Sequence, residues 1–502
     1  MILDFTNQSD YFRAFLPEIV LSLWATLVLM VDVFQKGNRS EPSRPIIPWL
    51  AIAGLVATAV ANGWLLGLTG SATTGIVAVD GFRVFANFIF LIAAGFSILL
   101  SIGYLDRKGI NLGEYFVLIL FATVGMMILA SSRDLILLFL GLELMSVSIY
   151  VLVGINRRDA RSSEAALKYF LLGAFASGFL LYGIALIFGS TGTTNLSEIA
   201  PQLTGELSAR PMLVIGMALL LIGLSFKVAA VPFHVWAPDA YDGAPTPVTS
   251  LMATGVKAAA FAAFIRIFAV AFAGSYEQWA PVVAWLAVLT MFAANLMALT
   301  QGSVKRMLAY SSIAHAGYLL VAVVAANAYG AAAFLFYLLV YTVMTAGAFG
   351  IVISNAKGDN DRISLQDYAG FGWQQPLLGA AFAIFLLSLA GFPLTGGFIG
   401  KLYILRASLE AGHQLLAVSL VMASLISYFY YLRVVIVMYM RPAVSEDAHE
   451  GIAVTPATRF AVGVAAVAVL LLFFAPGLVL GAAQQSVASL FAMPGAFFGM
   501  QP

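Results

Sequence analysis

Apolar runs long enough to cross a bilayer as a helix, about 20 residues each, recur along the whole chain between short polar loops. The pattern predicts an all-α polytopic membrane protein with about 14 transmembrane helices, two of them broken. We expect these helices near residues 15–34, 46–67, 82–104, 114–130, 134–154, 164–189, 211–240, 247–272, 279–300, 306–326, 330–354, 376–411, 414–440 and 457–481.

Two of these apolar runs are interrupted by proline and glycine. The first run, 211–240, contains Pro232; the second, 376–411, lies five helices later and contains Gly391 and Pro393. Discontinuous helices at corresponding positions in two halves are typical of transporters built from inverted repeats. We therefore predict two inverted five-helix repeats, helices 4–8 and helices 9–13. The expected division of the chain is 1–110 for helices 1–3, 111–273 and 274–441 for the two repeats, and 442–502 for helix 14 and a C-terminal tail.

The composition agrees with the hydropathy pattern and narrows the function. Of the 502 residues, 62% are hydrophobic and 10% are charged, whereas soluble proteins are roughly 25% charged. The net charge of +1 gives no reason to expect nucleic-acid binding. The sequence contains no cysteine, which excludes disulfides and cysteine-ligated iron–sulfur clusters, and its four histidines are scattered. We expect no cofactor and no metal in this chain.

The basic residues favour one orientation in the membrane. Thirteen lysines and arginines fall in loops that follow odd-numbered helices, whereas only Arg13, Arg133 and Arg210 fall clearly on the opposite side. Because cytoplasmic loops are enriched in Lys and Arg, we expect the odd-to-even loops in the cytoplasm and both termini outside. The thirteen residues are Lys36, Arg39, Arg44, Arg107, Lys108, Arg157, Arg158, Arg161, Lys305, Arg306, Lys357, Arg362 and Arg441.

Charged side chains inside apolar helices are candidates for function, because a lysine at a helix centre costs roughly 2.5–3.5 kcal/mol even on the mildest insertion scale. Glu143 lies nine residues after Asp134, which is roughly 13 Å into helix 5. Lys168 lies on helix 6, which a short loop joins to helix 5, so we expect the two side chains to meet as an ion pair. Two alternatives stay open: a purely structural pair, and a Lys168 side chain that extends to the cytoplasmic interface.

Helices 7 and 8 carry two further lysines and a histidine. Lys227 precedes Pro232 by five residues, where the missing N–H leaves a carbonyl without its helical partner. His234 follows the break and suits a proton relay between Lys227 and Lys257, with a satisfied polar contact in the unwound turn as the alternative. Lys257 lies roughly 15 Å into helix 8 among small apolar residues. For both lysines a structural role is the alternative.

Two candidates lie in the second half of the chain. Lys401 follows the second break in the segment FIGKLYILR, and the alternative is an interfacial anchor. His315 lies inside helix 10 and can continue the row of titratable groups, with a structural role as the alternative. The chain has no P-loop, dinucleotide fingerprint, metal-ligand spacing or nucleophile–base pair. Its candidate residues can therefore move protons, but they cannot carry electrons.

Three segments occur in a fixed order: FKVAAVPFHVWAPDAYDGAPTPVTSLMATGVKAAAF, QGSVKRMLAYSSIAHAGYLL and FPLTGGFIGK. They resemble the antiporter-like subunits of respiratory complex I, the NADH–quinone oxidoreductase, which are related to the large subunits of Mrp-type sodium/proton antiporters. Among the bacterial L, M and N types, EAALKYF and GFIGK favour the N type, since the M type has a glutamate in place of Lys401 and the L type is longer.

The resemblance implies a function for each candidate and a set of partners. It implies a half-channel in each repeat and proton translocation in the bacterial inner membrane, coupled to redox chemistry in other subunits. It implies the neighbouring antiporter-like subunit M, the small subunits J and K, and lipids as partners, with FMN, iron–sulfur clusters and quinone bound by partner subunits. The residues that match the family's proton-transfer positions are Glu143, Lys168, Lys227, His234, Lys257 and Lys401.

Two other classes of function stay open. An Mrp-type cation/proton antiporter subunit would use the same charges, and the proteins that copurify would distinguish it. A membrane spacer whose charges merely pair would tolerate neutral substitutions made in pairs.

Overall fold

The computed structural model describes residues 8–34, 46–69, 75–110, 112–203, 210–356, 361–443 and 454–491. These residues form α-helices joined by loops, and no β-strand occurs among them. The main helices, numbered in chain order, are α1 Leu16–Phe34, α2 Ile46–Trp64, α3 Gly81–Ser101, α4 Glu114–Ser131, α5 Leu135–Val153, α6 Ala160–Thr191, α7a Pro211–Val228, α7b Trp236–Gly243, α8 Thr246–Ala271, α9 Tyr276–Leu299, α10 Val304–Ala325, α11 Ala328–Ser354, α12a Pro376–Ala390, α12b Gly396–Glu410, α13 Gln414–Met440, α14 Pro456–Phe474 and α15 Pro476–Phe491.

This architecture confirms the predicted all-α polytopic fold. Within the described residues, 13 helices are long and apolar enough to cross a membrane, and α12a is a shorter apolar helix. Both predicted breaks are present, between α7a and α7b and between α12a and α12b. The segment 482–502 was too weakly patterned to interpret, and its first residues belong to α15, which begins at Pro476. Residues 492–502 and four basic loop residues of the orientation argument lie outside the described part, the four being Lys36, Arg39, Arg44 and Lys357.

Polar residues at the loop ends fix where the helices begin. Asp134 accepts hydrogen bonds of 2.8 and 3.2 Å from two backbone N–H groups in the first turn of α5. Asp159, Ser303 and Asn327 cap α6, α10 and α11 in the same way. The first N–H groups of a helix have no partner within it, so a side-chain cap stabilises the start of the helix at that residue.

The helices divide into a buried centre and a rim that faces the lipid. The most apolar stretch of α8 is 100% buried and those of α10 and α11 are 94% buried, whereas those of α2, α6, α9 and α14 are 39% buried. The central helices carry Lys257 and His315. α8 also contains two π-helical segments, Met252–Val256 just before Lys257 and Ile265–Ala271 two turns after it. Such segments are frequent at functional sites.

Two buried ion pairs hold the N-terminal helices in place, one within that group and one between it and α8. Arg83 on α3 donates to Glu18 on α1 at 2.7 Å, and Arg266 on α8 makes two bonds of 2.8 Å to Asp80. These four side chains are at most 4% exposed. Buried charges are tolerated when they are paired and hydrogen-bonded. The first pair therefore fixes α1 against α3, and the second fixes the start of α3 against α8.

Candidate functional site

The first break leaves backbone groups that side chains then satisfy. Ala229 turns the chain after α7a with a left-handed backbone, φ 59°. The indole N–H of Trp236 donates to the Phe226 carbonyl at 3.0 Å, and the Val231 N–H donates to the Thr290 hydroxyl at 2.9 Å. Non-helical backbone at membrane depth is stable only where protein groups or enclosed water supply such partners. The sequence therefore provides the break together with the donors and acceptors that close it.

Lys227 lies in the last turn of α7a and is 3% exposed. Its Nζ donates to Ser146 Oγ at 2.7 Å and to the Tyr150 hydroxyl at 3.0 Å, both on α5. It also lies 5.1 Å from the ring centroid of Tyr150 and 5.8 Å from that of Tyr169. Within the described residues no carboxylate pairs with this group. Hydroxyls and aromatic faces stabilise an ammonium ion without a counter-charge, which suits a lysine that holds and releases a proton.

Glu143 is half-buried on α5. The Ser177 hydroxyl on α6 donates to its carboxylate, and no described basic side chain forms an ion pair with it. Residues three apart share a helix face, so Glu143 lies on the side of α5 that carries Ser146, the hydrogen-bond partner of Lys227. The carboxylate of Glu143 therefore lies one turn of α5 away from the Ser146 hydroxyl, which accepts a hydrogen bond from Lys227 Nζ.

The predicted ion pair between Glu143 and Lys168 is wrong. Lys168 Nζ instead pairs with Glu164 at 2.7 Å and with Asp239 at 3.1 Å, and its side chain is 46% exposed. Asp239 lies on α7b and also pairs with Arg306 at 3.0 Å. Accessible carboxylates hold a lysine at a lower desolvation cost than a buried one would. Lys168 therefore tethers α7b at the polar end of the bundle, and its position at the cytoplasmic interface stays a prediction.

His234 lies in the unwound turn between α7a and α7b and is half-buried. Among the described residues its Nδ1 is enclosed without a hydrogen-bond partner, and no hydrogen bond joins it to Lys227 or Lys257. The structure thus does not place His234 in direct contact with either lysine. Enclosed nitrogens of this kind are usually bonded to ordered water, and a relay role for His234 stays a prediction.

Lys257 lies in the middle of α8 and is 1% exposed. Its Nζ donates to the Ser312 carbonyl at 2.7 Å and to the Ser312 hydroxyl at 2.6 Å, both on α10. His315 lies one turn further along α10, on the same face as Ser312. The lysine is therefore directed along α10 towards the histidine.

His315 is enclosed by tyrosines and is 1% exposed. Its Nδ1 lies 2.5 Å from the Tyr337 hydroxyl and its Nε2 lies 3.2 Å from the Tyr431 hydroxyl. Tyr431 in turn hydrogen-bonds with Ser311, and the ring of Tyr318 packs edge-on against the imidazole. Both imidazole nitrogens are thus connected to hydroxyl groups, which can accept or donate a proton in either direction.

Lys401 lies on α12b after the second break and is 6% exposed, so it is buried and not an interfacial anchor. Its Nζ donates to the carbonyl of Ala390, the last residue of α12a, at 2.7 Å. It also lies 4.7 Å from the ring centroid of Tyr318 on α10. The Tyr428 hydroxyl donates to the next carbonyl, that of Gly391, at 3.0 Å.

One face of α10 links the two buried lysines of the central region. Ser312, His315 and Tyr318 are spaced three apart and span roughly 9 Å of helix; Lys257 contacts the first and Lys401 the last. The structure therefore brings Lys257, His315 and Lys401 together, with Lys227 and Glu143 as a second group and Lys168 outside both. The tyrosines were missed by sequence analysis, although the spacing within YSSIAHAGY carried a signal for one of them.

The described residues contain no group of three or more His, Asp or Glu side chains that could hold a metal ion. His413, between α12b and α13, lies 2.7 Å from the Tyr276 hydroxyl, and burial lowers its pKa. The lowered pKa favours the neutral form of the imidazole. The chemistry available at the buried row is proton transfer between lysine, histidine and hydroxyl groups.

Comparison with known proteins identifies the family of the chain. Residues 132–427 match the family described as NADH:quinone oxidoreductase/Mrp antiporter, TM. NADH-quinone oxidoreductase subunit N of Trichlorobacter lovleyi is 45% identical over 96% of this chain and 98% of its own length, and that of Gemmatimonas aurantiaca is 44% identical over 93% and 92%.

Solved structures share the fold. A chain of respiratory complex I from Thermus thermophilus, solved with bound aureothin, superposes with a TM-score of 0.78 at 36% identity, covering 94% of this chain and 100% of that one. A chain of the Mrp complex from Dietzia sp. DQ12-45-1b has a TM-score of 0.79 at 23% identity, covering 96% and 99%, and shows the fold alone. The chain therefore belongs to the subunit N family of NADH-quinone oxidoreductases.

Proposed function

We propose that this chain translocates protons as a membrane-arm subunit of NADH–quinone oxidoreductase, coupled to redox chemistry in other subunits. The observation that carries the proposal is the contact of Lys257 with Ser312 on α10, with His315 and Tyr318 leading along the same face to Lys401. Family membership supports the assignment to this enzyme. A row of buried titratable groups crossing from one break to the other supports the transport of protons.

The buried lysines have no carboxylate partners among the described residues, and this makes their charges interdependent. Lys227, Lys257 and Lys401 are each held by hydroxyls, carbonyls or aromatic rings. Like charges repel more strongly in a low-dielectric interior than in water. A proton on one lysine therefore disfavours a proton on the next, and its departure favours uptake there.

Under this proposal the cycle starts at Glu143. A change in the charge of its carboxylate alters the stability of the Lys227 ammonium group, which releases its proton towards Lys257. The proton passes through Ser312 and His315 and reaches Lys401, with His234 as a relay near the first break. Moving one charge against 100 mV requires about 2.3 kcal/mol, which is comparable to the interaction of two desolvated charges. Lys168 holds α7b in place rather than carrying the proton.

The proposal also covers the two repeats of the chain, its orientation in the membrane and its partners. The segments 111–273 and 274–441 form the two inverted repeats, with residues 1–110 and 442–502 beside them. The chain lies in a bacterial inner membrane with the odd-to-even loops in the cytoplasm and both termini in the periplasm. Its partners are the antiporter-like subunit M, the small subunits J and K, and lipids. Iron–sulfur clusters are bound by other subunits, because this chain offers no cysteine for a cluster. The assignment to this enzyme implies that FMN and quinone are bound by other subunits as well.

The test is Lys257→Gln in the intact complex, assayed in inside-out vesicles for both NADH oxidation and proton pumping. We expect loss of the pumping carried by this chain, because a neutral amide cannot hold a proton between Ser312 and His315. Arg406→Gln is the matched control, since Arg406 is an exposed basic residue paired with Glu410 at 2.7 Å. A Lys257→Gln complex that pumps at the parent level per NADH oxidised would refute the proposal.

An Mrp-type cation/proton antiporter subunit is the second candidate, because the fold is shared with the Mrp complex. The buried residues serve either function equally well. Purification under mild conditions separates the two. Copurification with flavin- and iron–sulfur-containing subunits supports the complex I assignment, and copurification with small antiporter subunits alone supports the second candidate.

A further inference from the structure

A buried asparagine lies beside the central row, where α9 and α13 pack against α10. Asn295 on α9 is 0% exposed, and its Nδ2 donates to the Tyr318 hydroxyl at 3.3 Å. Tyr318 is the residue whose ring centroid lies 4.7 Å from Lys401 Nζ. The proton path described above gives Asn295 no role. Its uncharged amide nevertheless lies one hydrogen bond away from the residue that contacts the last lysine of the row.

Three contacts fix the orientation of the Asn295 amide. Besides Tyr318, Nδ2 donates to the Met291 carbonyl at 2.7 Å, and Oδ1 accepts from the Tyr430 hydroxyl on α13 at 2.8 Å. A carbonyl oxygen can only accept, so the contact with Met291 identifies the NH₂ end of the amide independently of the two tyrosines. Both hydrogens and the oxygen of the amide are therefore committed to hydrogen bonds.

The amide in turn fixes the direction of the two tyrosine hydroxyls. Tyr430 donates its single proton to Oδ1, whereas Tyr318 accepts from Nδ2 and so directs its own proton away from Asn295. A chain of hydroxyls passes a proton only when each member can accept one proton and give up another. A carboxamide can do so only by becoming an imidic acid, which is a much less stable tautomer. A proton on Tyr318 is therefore not passed on to Tyr430.

The position of Asn295 is where a barrier to protons is needed, because polar groups continue from it towards the end of α9. Tyr430 lies one turn of α13 before Arg433. Arg433 is exposed and donates to the carbonyl of Leu299, the last residue of α9, at 3.2 Å. Leu299 follows Asn295 by four residues, which is roughly 6 Å along the helix. One helical turn thus separates the amide from polar groups at the exposed end of α9.

We propose that Asn295 is a proton barrier, whose amide prevents a proton on Lys401 or Tyr318 from leaving the row through Tyr430 to the surface at the end of α9. The inference rests on the proposed function and adds to it the residue that prevents back-flow. The loop after α9 is an odd-to-even loop, which the distribution of basic residues places in the cytoplasm. A proton that left the row by this route would therefore return to the side from which it was pumped, driven by the gradient that the enzyme builds.

The test replaces the amide by groups of similar size that differ in proton chemistry. Asn295→Asp supplies a carboxyl group, which can give up and accept a proton, whereas the side chain of Asn295→Leu can do neither. The purified complex is reconstituted in liposomes, a pH gradient is imposed without NADH, and its decay is followed with a pH-sensitive dye. We expect the gradient to decay faster with Asn295→Asp than with the parent complex, and at the parent rate with Asn295→Leu. With NADH, Asn295→Asp should pump fewer protons per NADH oxidised.

Two further variants separate proton chemistry from structural damage. Asn87→Asp is the matched control, because Asn87 on α3 is also 0% exposed and donates to Asn62 at 2.9 Å, away from the row. We expect its gradient to decay at the parent rate. Adding Tyr430→Phe to Asn295→Asp removes the hydroxyl next to the new carboxyl group, and the decay should become slower again.

The rate of decay decides the outcome. A parent-like rate with Asn295→Asp would refute the barrier, and so would a rate with Asn295→Leu or Asn87→Asp as fast as that with Asn295→Asp, or a double variant that decays no more slowly. The proposed function stands in each of these cases as long as Lys257→Gln loses pumping. If Lys257→Gln pumps at the parent level, the proposed function fails instead, and the barrier with it. Asn295→Ser, whose hydroxyl can also donate and accept, replaces Asn295→Asp if that variant does not assemble.

Discussion

The two broken helices hold their lysines on opposite sides of the break. In α7 the lysine precedes the break, and Lys227 is directed away from it towards the hydroxyls of α5. In α12 the lysine follows the break, and Lys401 donates back across it to the carbonyl of Ala390. The first break is closed by neutral groups, the Trp236 indole and the Thr290 hydroxyl. The second is closed in part by the titratable side chain itself.

The charge of Lys227 is therefore independent of the geometry of the first break, whereas the charge of Lys401 is coupled to the geometry of the second break. A hydrogen bond from an ammonium group is roughly twice as strong as one between neutral groups. Protonation of Lys401 therefore tightens the end of α12a, whereas protonation of Lys227 leaves the first break unchanged. The second break is the one whose structure responds to a proton.

The largest expected effect comes from replacing each lysine by methionine. Lys227→Met and Lys401→Met should both lose pumping, because neither can hold a proton. Only Lys401→Met should also destabilise the fold, by about 1–3 kcal/mol, since it leaves the buried Ala390 carbonyl without a donor. In Lys227→Met the Ser146 hydroxyl keeps the hydrogen bond that it donates to the Leu142 carbonyl, so this variant leaves no buried carbonyl without its donor. Proton pumping and the apparent Tm of the purified complex measure the two effects, and equal Tm values for both variants would remove the contrast.

The backbone at the two breaks should respond next. Gly391 has φ 88°, and an added Cβ would lie 2.8 Å from Lys401 Cδ, so Gly391→Ala combines backbone strain with displacement of the lysine. We expect a destabilisation of about 1–2 kcal/mol from the left-handed backbone and a loss of pumping. Ala229 already occupies a left-handed position at φ 59°, so Ala229→Gly should change stability by less than about 1 kcal/mol and leave pumping intact. Thermal unfolding and pumping of the two variants side by side give the answer, and an Ala229→Gly complex that lost pumping would contradict the contrast.

The smallest expected effect concerns Lys168. Because its side chain is 46% exposed and pairs with Glu164 and Asp239, Lys168→Gln should keep most of the pumping and nearly the parent stability. Glu143→Gln should lose pumping, since the half-buried carboxylate of Glu143 is one helical turn from Ser146, the hydrogen-bond partner of Lys227. Measuring both variants in the same vesicle preparation shows whether the two residues act together. If Lys168→Gln reduced pumping as strongly as Glu143→Gln, the result would support an ion pair between the two residues and contradict the structure.

The helices and the breaks could be predicted from the sequence because their signals are local. A run of about 20 apolar residues indicates a transmembrane helix. Proline with glycine inside such a run interrupts that helix, whatever the helix packs against. The buried lysines could also be named, since Lys227 and Lys257 lie too far inside apolar helices to reach water.

The partners of those residues could not be predicted, because they depend on how helices pack. Lys168 looked able to reach Glu143 across a short loop, yet Asp239 on α7b is the carboxylate beside it. Tyrosines in an apolar helix are ordinary, so nothing in the sequence marked Tyr337 and Tyr431 as the groups around His315. Glu18 lies in the first turn of α1, where a charged side chain usually faces the interface, yet the structure buries it in an ion pair with Arg83.

The burial of α8, α10 and α11 also sets the electrical surroundings of the row. Lipid reaches the rim helices, whereas the side chains of Lys257, His315 and Lys401 are 1%, 1% and 6% exposed. The field along that path is therefore generated by the protein's own dipoles and charges, and the effective dielectric is that of a packed interior. The composition of the surrounding membrane, including the headgroup charge, therefore acts on the outer surface of the bundle and leaves this path insulated.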